Sequence, residues 1–262
     1  MHPMMNMGIR AVRAAGDFIV RCMDQMQGLS VTEKSRNDFV SEVDRRAEQI
    51  IIENLRNAYP DHAILAEESG ASGNSDYQWI IDPLDGTTNF LHGFPQFAVS
   101  VALAHKGILD QGIVYDPLRQ ELFTASRGDG AHLDGRRIRV TRLNTLEGAL
   151  IGTGFPFRTL DRLNAYVDIF RQLTAVTAGI RRPGAASLDL AYVASGRIDG
   201  FWEYGLEPWD IAAGTLLIRE AGGYVSDIND ASPEVKSGNI VAGNPAVHDL
   251  LQELIRATDG AT

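Results

Sequence analysis

Trp79-Ile80-Ile81-Asp82-Pro83-Leu84-Asp85-Gly86-Thr87-Thr88-Asn89-Phe90 is the stretch on which both the fold and the chemistry of this chain turn. Three apolar residues, Trp79 to Ile81, run into an acid and a proline. Such a run reads as a buried strand, and Pro83, which has no N–H to donate, stops the pairing there. Asp85 follows three residues after Asp82, and Gly86-Thr87-Thr88 then opens a helical turn. Two carboxylates at a strand end, beside backbone N–H groups, hold a cation and an anion together. An ordinary Asp-Gly turn, with Asp85 as its Asx residue, accounts for the same letters. Against the bare turn stand a second acidic cluster at Glu67-Glu68-Ser69 and a Trp209-Asp210 pair that opens another helical stretch. No Lys or Arg lies near Asp82 or Asp85 in sequence to neutralise them. If these acids converge they raise one another's pKa until a cation joins them, and a metal-bound phosphate meets that condition.

Outward from this motif, the N-terminal side is helical. Met5, Ile9, Val12, Gly16, Ile19, Met23 and Met26 recur at spacings of four and three, one face of an amphipathic helix of about six turns, with Gly28 as its stop. Residues 30–40 read as a loop or hairpin with a polar tip at Lys34 to Asp38. Ser41-x-x-Asp44 matches a capping box ahead of Val43, Ala47, Ile50, Ile51 and Leu55 at helical spacing, and Pro60 ends this second helix. Ala63 to Ala66 is a short strand that delivers Glu67 and Glu68 at its end, and Gly70 to Asp76 is a polar loop.

On the C-terminal side, strands are expected at Gln96 to His105, Ile108 to Tyr115, Glu121–Ala125 and Ala131–Leu133. Residues 1–145 thus read as helix pairs and an antiparallel meander, an α+β arrangement. From about residue 146 to 262 strands and helices alternate: strands at Ala149 to Thr153, Asp199 to Tyr204, Tyr224–Ser226 and Ile240–Ala242, helices at Leu163 to Ala175, Ser187 to Ser195, Asp210 to Ala221 and Ala246 to Arg256. Partly parallel pairing follows from that rhythm. No repeat or long linker separates the halves, so one compact unit is expected.

The 262 residues are 44% hydrophobic and 22% charged, the make-up of a water-soluble globular chain. A net charge of −10 argues against nucleic-acid binding by bulk charge; the local run Arg136-Arg137-Ile138-Arg139 reads as a solvated strand edge. The one cysteine, Cys22, excludes an internal disulfide and a Cys-based metal site, and it reads as a small core residue. No apolar run reaches the ~18 residues of a membrane helix, and Arg10, Arg13 and Asp17 break any signal-peptide pattern. A cytoplasmic location fits. The histidines lack zinc spacing, Gly128-Asp129-Gly130 lacks the third glycine of a dinucleotide loop, and no phosphate-binding lysine loop or serine elbow occurs.

Asp82-Pro83-Leu84-Asp85-Gly86-Thr87-Thr88, taken with Trp209-Asp210-Ile211-Ala212-Ala213-Gly214 and the upstream Glu67-Glu68-Ser69, resembles the inositol monophosphatase family of metal-dependent sugar phosphatases. The segments stand in the family's order and the likeness spans nearly the whole chain. Gly152-Thr153-Gly154-Phe155-Pro156-Phe157 and Arg181-Arg182-Pro183-Gly184 are similar to the bacterial extragenic-suppressor type within it. The resemblance implies a layered α-β-α-β-α sandwich and Mg²⁺ as cofactor, two or three ions. It implies Glu67, Asp82 and the Leu84 carbonyl as ligands of a first metal, and Asp82, Asp85 and Asp210 as ligands of a second, Asp82 bridging. Gly86 and Thr87 would bind the phosphate through backbone N–H groups. The Thr87 hydroxyl and Asp44 match the pair that orients the attacking water, with Glu67 beside them. Glu203 matches the acid that binds a sugar hydroxyl; Gly184 and Ala186 match backbone contacts to the sugar, and Lys34 a loop residue near the metals.

Blander roles remain open for several of these. Asp44 is also a favourable helix N-terminal acid, Glu203 and Lys34 could be solvated, Glu68 should point away from Glu67, and Trp202 and Trp209 are by default core. Phe155 stands where animal members carry a serine near the substrate, a departure that bears on the sugar. The expectation is Mg²⁺-dependent hydrolysis of a small polyol phosphate, myo-inositol 1-phosphate foremost, by activated water and with uncompetitive inhibition by lithium. Fructose 1,6-bisphosphate and a nucleotide 3′,5′-bisphosphate are the other substrates of the class. A homodimer, with Arg181 and Arg182 at its surface, and a non-catalytic partnership with the transcription antitermination machinery are implied by the same resemblance.

Overall fold

The apolar stripe of the first helix settles where it packs. In α1 (Pro3–Met26) Met5, Val12, Ile19 and Met23 are buried, and in α2 (Glu33–Ala58) so are Val43, Ala47, Ile51 and Leu55. The two helices lie side by side on an eight-stranded sheet. The computed structural model describes residues 2–26, 33–157, 160–229 and 232–259, with side chains except at 24–26, 33–41 and 259. Gly28, the first residues of the expected 30–40 loop and the Lys34 side chain lie outside it. From Glu33 onward that loop is helix instead. No Gly or Pro stands between Leu29 and Tyr59, so nothing breaks the helix ahead of the Ser41 box, and local capping chemistry yields to helix propagation.

The first sheet has the order β2-β1-β3-β4-β5-β6-β7-β8, from β1 (Ala63–Ala66), β2 (Gly70–Ser72), β3 (Tyr77–Asp85), β4 (Ala98–His105), β5 (Ile108–Asp116), β6 (Glu121–Ser126), β7 (Gly130–Leu133) and β8 (Arg136–Arg137). Only β1 and β3 pair in parallel. Strand alternation sends Trp79, Ile81, Val99, Val101 and Leu103 to the core under α1 and α2. Ile80, Ala98, Ala102 and Ala104 face the opposite way. The three alanines suit a helix layer that lies close against them. A Cβ at Gly112 would stand 2.9 Å from the Ala213 carbonyl.

That middle layer is α5 (Ala186–Ala194) and α6 (Pro208–Glu220). Both are apolar nearly all round, as helices covered on both sides must be. Beyond them lies a second sheet, β10-β9-β11-β13-β12, made of β9 (Leu150–Thr153), β10 (Gly179–Arg181), β11 (Gly200–Glu203), β12 (Tyr224–Asp227) and β13 (Ile240–Gly243). β10, β9 and β11 run parallel, while β13 and β12 are antiparallel. Its outer face packs Ile151, Trp202 and Val241 against Tyr166 and Leu173 of α4 (Leu163–Val176) and Leu251 and Ile255 of α7 (Pro245–Asp259). Three hydrophobic cores therefore alternate through the expected α-β-α-β-α sandwich. Among the described residues no helix is long and apolar enough to cross a membrane.

Two strands depart from the expectation. β2 forms in the polar 70–76 loop because it pairs back on the β1 edge, and β10, unmarked by any apolar run, is held by pairing to β9. Helix α6 also begins at Pro208, two residues early, where Pro at the first turn needs no hydrogen-bond acceptor.

Candidate active site

The central motif folds into a device that stops one strand and starts a helix. β3 pairs regularly with β4 as far as Asp82–Ser100, skips, and rejoins at Asp85–Ala98. Pro83 sits in the skipped stretch, as a residue without a donor must. Gly86 has φ +95 and precedes α3 (Thr87–Leu91); a Cβ there would stand 2.9 Å from the Gln96 carbonyl, so only glycine makes this turn. The first intrahelical bond is from Phe90 N–H to Gly86 O, 3.0 Å. The N–H groups before it, at the start of α3, are those an α-helix leaves without an internal acceptor.

The bulge gathers four acids from three elements. Asp82 and Asp85 come from β3, Glu67 from the end of β1, and Asp210 from the first turn of α6. Asp82 and Asp85 are buried, 1% and 9% exposed, and Asp210 is 8% exposed. Burial, then the charges of Asp85, Glu67 and Asp210, together with a hydrogen bond to Glu67, push the Asp82 carboxyl far above the ordinary carboxylate range. Burial and the Asp210 charge raise Asp85 to about 7, against the opposing hydrogen bonds from Ser187. The charges acting most strongly on these two groups are all negative. Two carboxyls hydrogen-bonded to each other need a proton or a cation between them, and an all-oxygen donor set of this kind is hard and suits Mg²⁺.

Three of the ligand candidates are each held by one oxygen. Asp82 Oδ1 accepts from Leu84 N–H at 3.0 Å. Asp85 Oδ2 accepts from the Ser187 N–H and hydroxyl at 2.7 and 2.5 Å. Asp210 Oδ2 accepts from Glu207 N–H at 2.8 Å, closing a reciprocal capping box at the start of α6. Among the described residues no three acidic, histidine or cysteine side chains close on a single point as a finished cage. Water and substrate oxygens are left to complete any coordination, which is how Mg²⁺ is usually held.

Asp44, on α2, reaches the same region. It is 5% exposed, its Oδ1 has no hydrogen-bond partner, and burial followed by the Glu67, Glu68 and Glu48 charges raises it to about 8. The Thr87 hydroxyl donates to the Leu84 carbonyl at 3.0 Å, so those two assigned atoms are neighbours. Glu68 is exposed and turned toward Arg45, 3.6 Å away, while its N–H is held by the buried Glu48 at 2.8 Å.

A cleft of about 170 Å³ opens beside the acids, lined among others by Asp85 and Asp210 and by Glu203, Gly184 and Ala186, the last three assigned to the sugar. A side chain on Gly154 would overlap the Glu203 carboxylate, so this glycine makes room for the acid. Arg182, which the resemblance implied at a dimer surface, lines the cleft too. It lies over the rings of Phe155 and Phe157, 4.9 and 5.1 Å from their centroids.

Several residues of the site escaped the sequence reading. Ser187 anchors Asp85. Asn89 Nδ2 donates to the carbonyls of Gln96 and Pro183 at 2.7 and 2.8 Å, fastening the Arg181–Gly184 turn to α3. Asp189 is 2% exposed with Oδ1 unpartnered, and burial and the Glu203 charge hold its carboxyl well above the ordinary range. The signal for Ser187 and Asp189 was present, as two polar residues in the otherwise apolar run 185–194.

Known proteins resemble this chain over nearly its whole length. A model of the inositol monophosphatase family matches residues 1–259. A Pseudomonas aeruginosa protein named Nus factor SuhB is 58% identical over 250 residues, 93% of this chain and 92% of its own length. The crystal structure of the extragenic suppressor protein suhB from Bartonella henselae superposes with a TM-score of 0.89 at 45% identity, covering 96% of this chain and 98% of that one. That of an inositol monophosphatase from Anabaena gives 0.85 at 39%, covering 97% and 95%.

Proposed function

The chain belongs to the inositol monophosphatase family, and from that premise we propose that it is a Mg²⁺-dependent phosphatase of small polyol phosphates, with myo-inositol 1-phosphate the leading substrate. The observation that carries this reading is the meeting of Glu67, Asp82, Asp85 and Asp210, in which the charges acting most strongly on the buried Asp82 and Asp85 are all negative. Asp82 feels the other three at once. Glu67, Asp82, Asp85, Asp210 and the Leu84 carbonyl would hold the cations. The bound cations supply the field that offsets phosphate charge and lowers the pKa of a water.

The chain's own groups do the rest. Asp44 and the Thr87 hydroxyl accept hydrogen bonds from the attacking water and aim it. The Gly86 and Thr87 N–H groups hold the phosphate oxygens, and the αL turn at Gly86 fixes their direction. Glu203 accepts from a ring hydroxyl, and the Gly184 and Ala186 backbone flanks the ring. Hydrolysis of a phosphate monoester needs a barrier reduction of roughly 20 kcal/mol or more, which is why so many fixed charges gather at one point. Phosphate release from a panel of esters, assayed with Mg²⁺ and with chelator, tests the reading. Release that depends on Mg²⁺ and falls when Li⁺ is added supports it; no release from any ester overturns it.

A second reading rests on the names of relatives: the 58% identical Pseudomonas protein is called a Nus factor. On that reading the folded chain is a protein partner in transcription antitermination, a role that needs its surface and not its carboxylates. Asp82→Asn separates the two, because it should end hydrolysis and leave such a partnership intact.

A further inference from the structure

Three of the four acids sit on regular structure: Asp82 and Asp85 on β3, an interior strand of the eight-stranded sheet, and Asp210 in the capped first turn of α6. Glu67 does not. It lies in the short turn between β1, which ends at Ala66, and β2, which begins at Gly70 with φ +73. β2 is three residues long and forms the edge of the sheet, so the turn has a neighbouring strand on one side only. On that side Glu67 N–H donates to the Ile81 carbonyl at 3.2 Å.

The helix layer supplies the other tie. Glu48, one turn after Asp44 on the buried face of α2, is 3% exposed and accepts from Glu68 N–H through Oε2 at 2.8 Å. The peptide planes on both sides of the Glu67 Cα are therefore held, one by β3 and one by Glu48. That leaves the Glu67 side chain little freedom about its backbone, and its carboxyl is the one bonded to Asp82. The second contact of α2 with the turn, Arg45 with Glu68 at 3.6 Å, involves an arginine side chain that is 66% exposed, and such a pair holds little in water. A carboxylate on a backbone N–H makes a charge-assisted bond, stronger than a neutral one. We propose that Glu48 is a positioning residue: by holding the Glu68 N–H it fixes the turn that carries Glu67, and so sets how tightly the acid cluster binds a divalent cation. The inference rests on the phosphatase reading, in which Glu67 is a metal ligand, and Glu48 acts through Glu67.

Three variants separate reach from charge. Glu48→Gln keeps an acceptor oxygen at the same reach and loses the charge. Glu48→Asp keeps the charge but is one methylene too short for the bond, and Glu48→Met fills the space and loses both. Circular dichroism checks the fold; if Glu48→Met does not fold, Glu48→Gln against Glu48→Asp still decides. Mg²⁺ alone is titrated calorimetrically into each metal-free protein. Orienting partners of metal ligands are worth roughly 10–100-fold in affinity, so Glu48→Asp and Glu48→Met should raise the Kd for Mg²⁺ about tenfold or more, and Glu48→Gln by much less. Phosphate release by Glu48→Asp should need correspondingly more Mg²⁺ for half-activation and return toward the wild-type kcat at saturation, a split that a loss of packing alone would not produce. Glu48→Asp binding Mg²⁺ as tightly as the wild type, or Glu48→Gln binding it as weakly as Glu48→Asp, overturns the assignment. If no ester is hydrolysed while the calorimetric order holds, the phosphatase reading fails and the positioning role stands. A wild type that binds no Mg²⁺ overturns both.

Discussion

At the scale of single residues, the site works because its acids are held where they are uncomfortable. Asp82 is almost fully buried among three other carboxyls. Replacing it by Asn keeps the shape and the bond from Leu84 N–H, and removes the charge that a cation needs. Asp82→Asn is expected to lower phosphate release by about 10³-fold or more, since several kcal/mol of charge stabilisation are at stake and each 1.4 is tenfold. Its melting temperature without metal should not fall. Activity within a few-fold of wild type would remove Asp82 from the bridging position. Gly154→Ala is a milder case: the added methyl overlaps the Glu203 carboxylate, so the acid must move, and KM for a polyol phosphate should rise with circular dichroism unchanged.

At the scale of elements, two helix starts in the middle layer position two of the acids. The first turn of α5 delivers the Ser187 N–H and hydroxyl to Asp85, and the capping box of α6 fixes Asp210. Removing an orienting partner of this kind costs roughly 10–100-fold in metal affinity. Ser187→Ala, which keeps the backbone bond, should therefore raise the Mg²⁺ concentration needed for half-activation about tenfold, with thermal stability nearly unchanged; an unaltered activation curve would reduce Ser187 to packing. The two helices also cross closely, a Cβ at Gly214 standing only 2.5 Å from that of Leu190. Gly214→Ala should lower stability by about 1–3 kcal/mol by overpacking, even though Ala is the better helix former. Denaturant midpoints measure this, and an increase would show that the crossing can open freely.

At the scale of the whole molecule, the acid cluster links folding, pH and metal. Asp85 and Asp44 titrate near 7 and 8 in the folded protein, well above the ~3.9 of an unfolded aspartate. Between those values the folded chain holds protons that the unfolded chain has released. Stability without metal must therefore fall as pH rises from about 4 to about 8. A cation that binds only the folded state displaces those protons and stabilises by mass action. Melting temperatures from pH 5 to pH 8.5 in chelator should decline, and millimolar Mg²⁺ should raise them most at the alkaline end while protons are released to the buffer. A flat profile that ignores Mg²⁺ would contradict a carboxylate cage.

Much of this was open to reading in the sequence because it depends on near neighbours. The stripe of α1, the alternation of Val99, Val101 and Leu103 with small residues, the break at Pro83 and the turn at Gly86 each follow from a period or a backbone constraint that a few residues contain. The acidic clusters were visible as types and spacings, and the resemblance supplied their roles. Contacts between distant segments were decided only in three dimensions. β2 and β10 exist because a neighbouring strand lends them hydrogen bonds, which no local propensity records. Helix α2 ran through a capping box because nothing upstream interrupted it. Ser187 found Asp85 across a hundred residues of chain, and Arg182 turned into the cleft because two phenylalanines from another loop gave its guanidinium a surface to lie on. Sequence fixes the period and the chemistry of a residue; which partner it meets is set by packing, where burial makes each unsatisfied charge too costly to leave to chance.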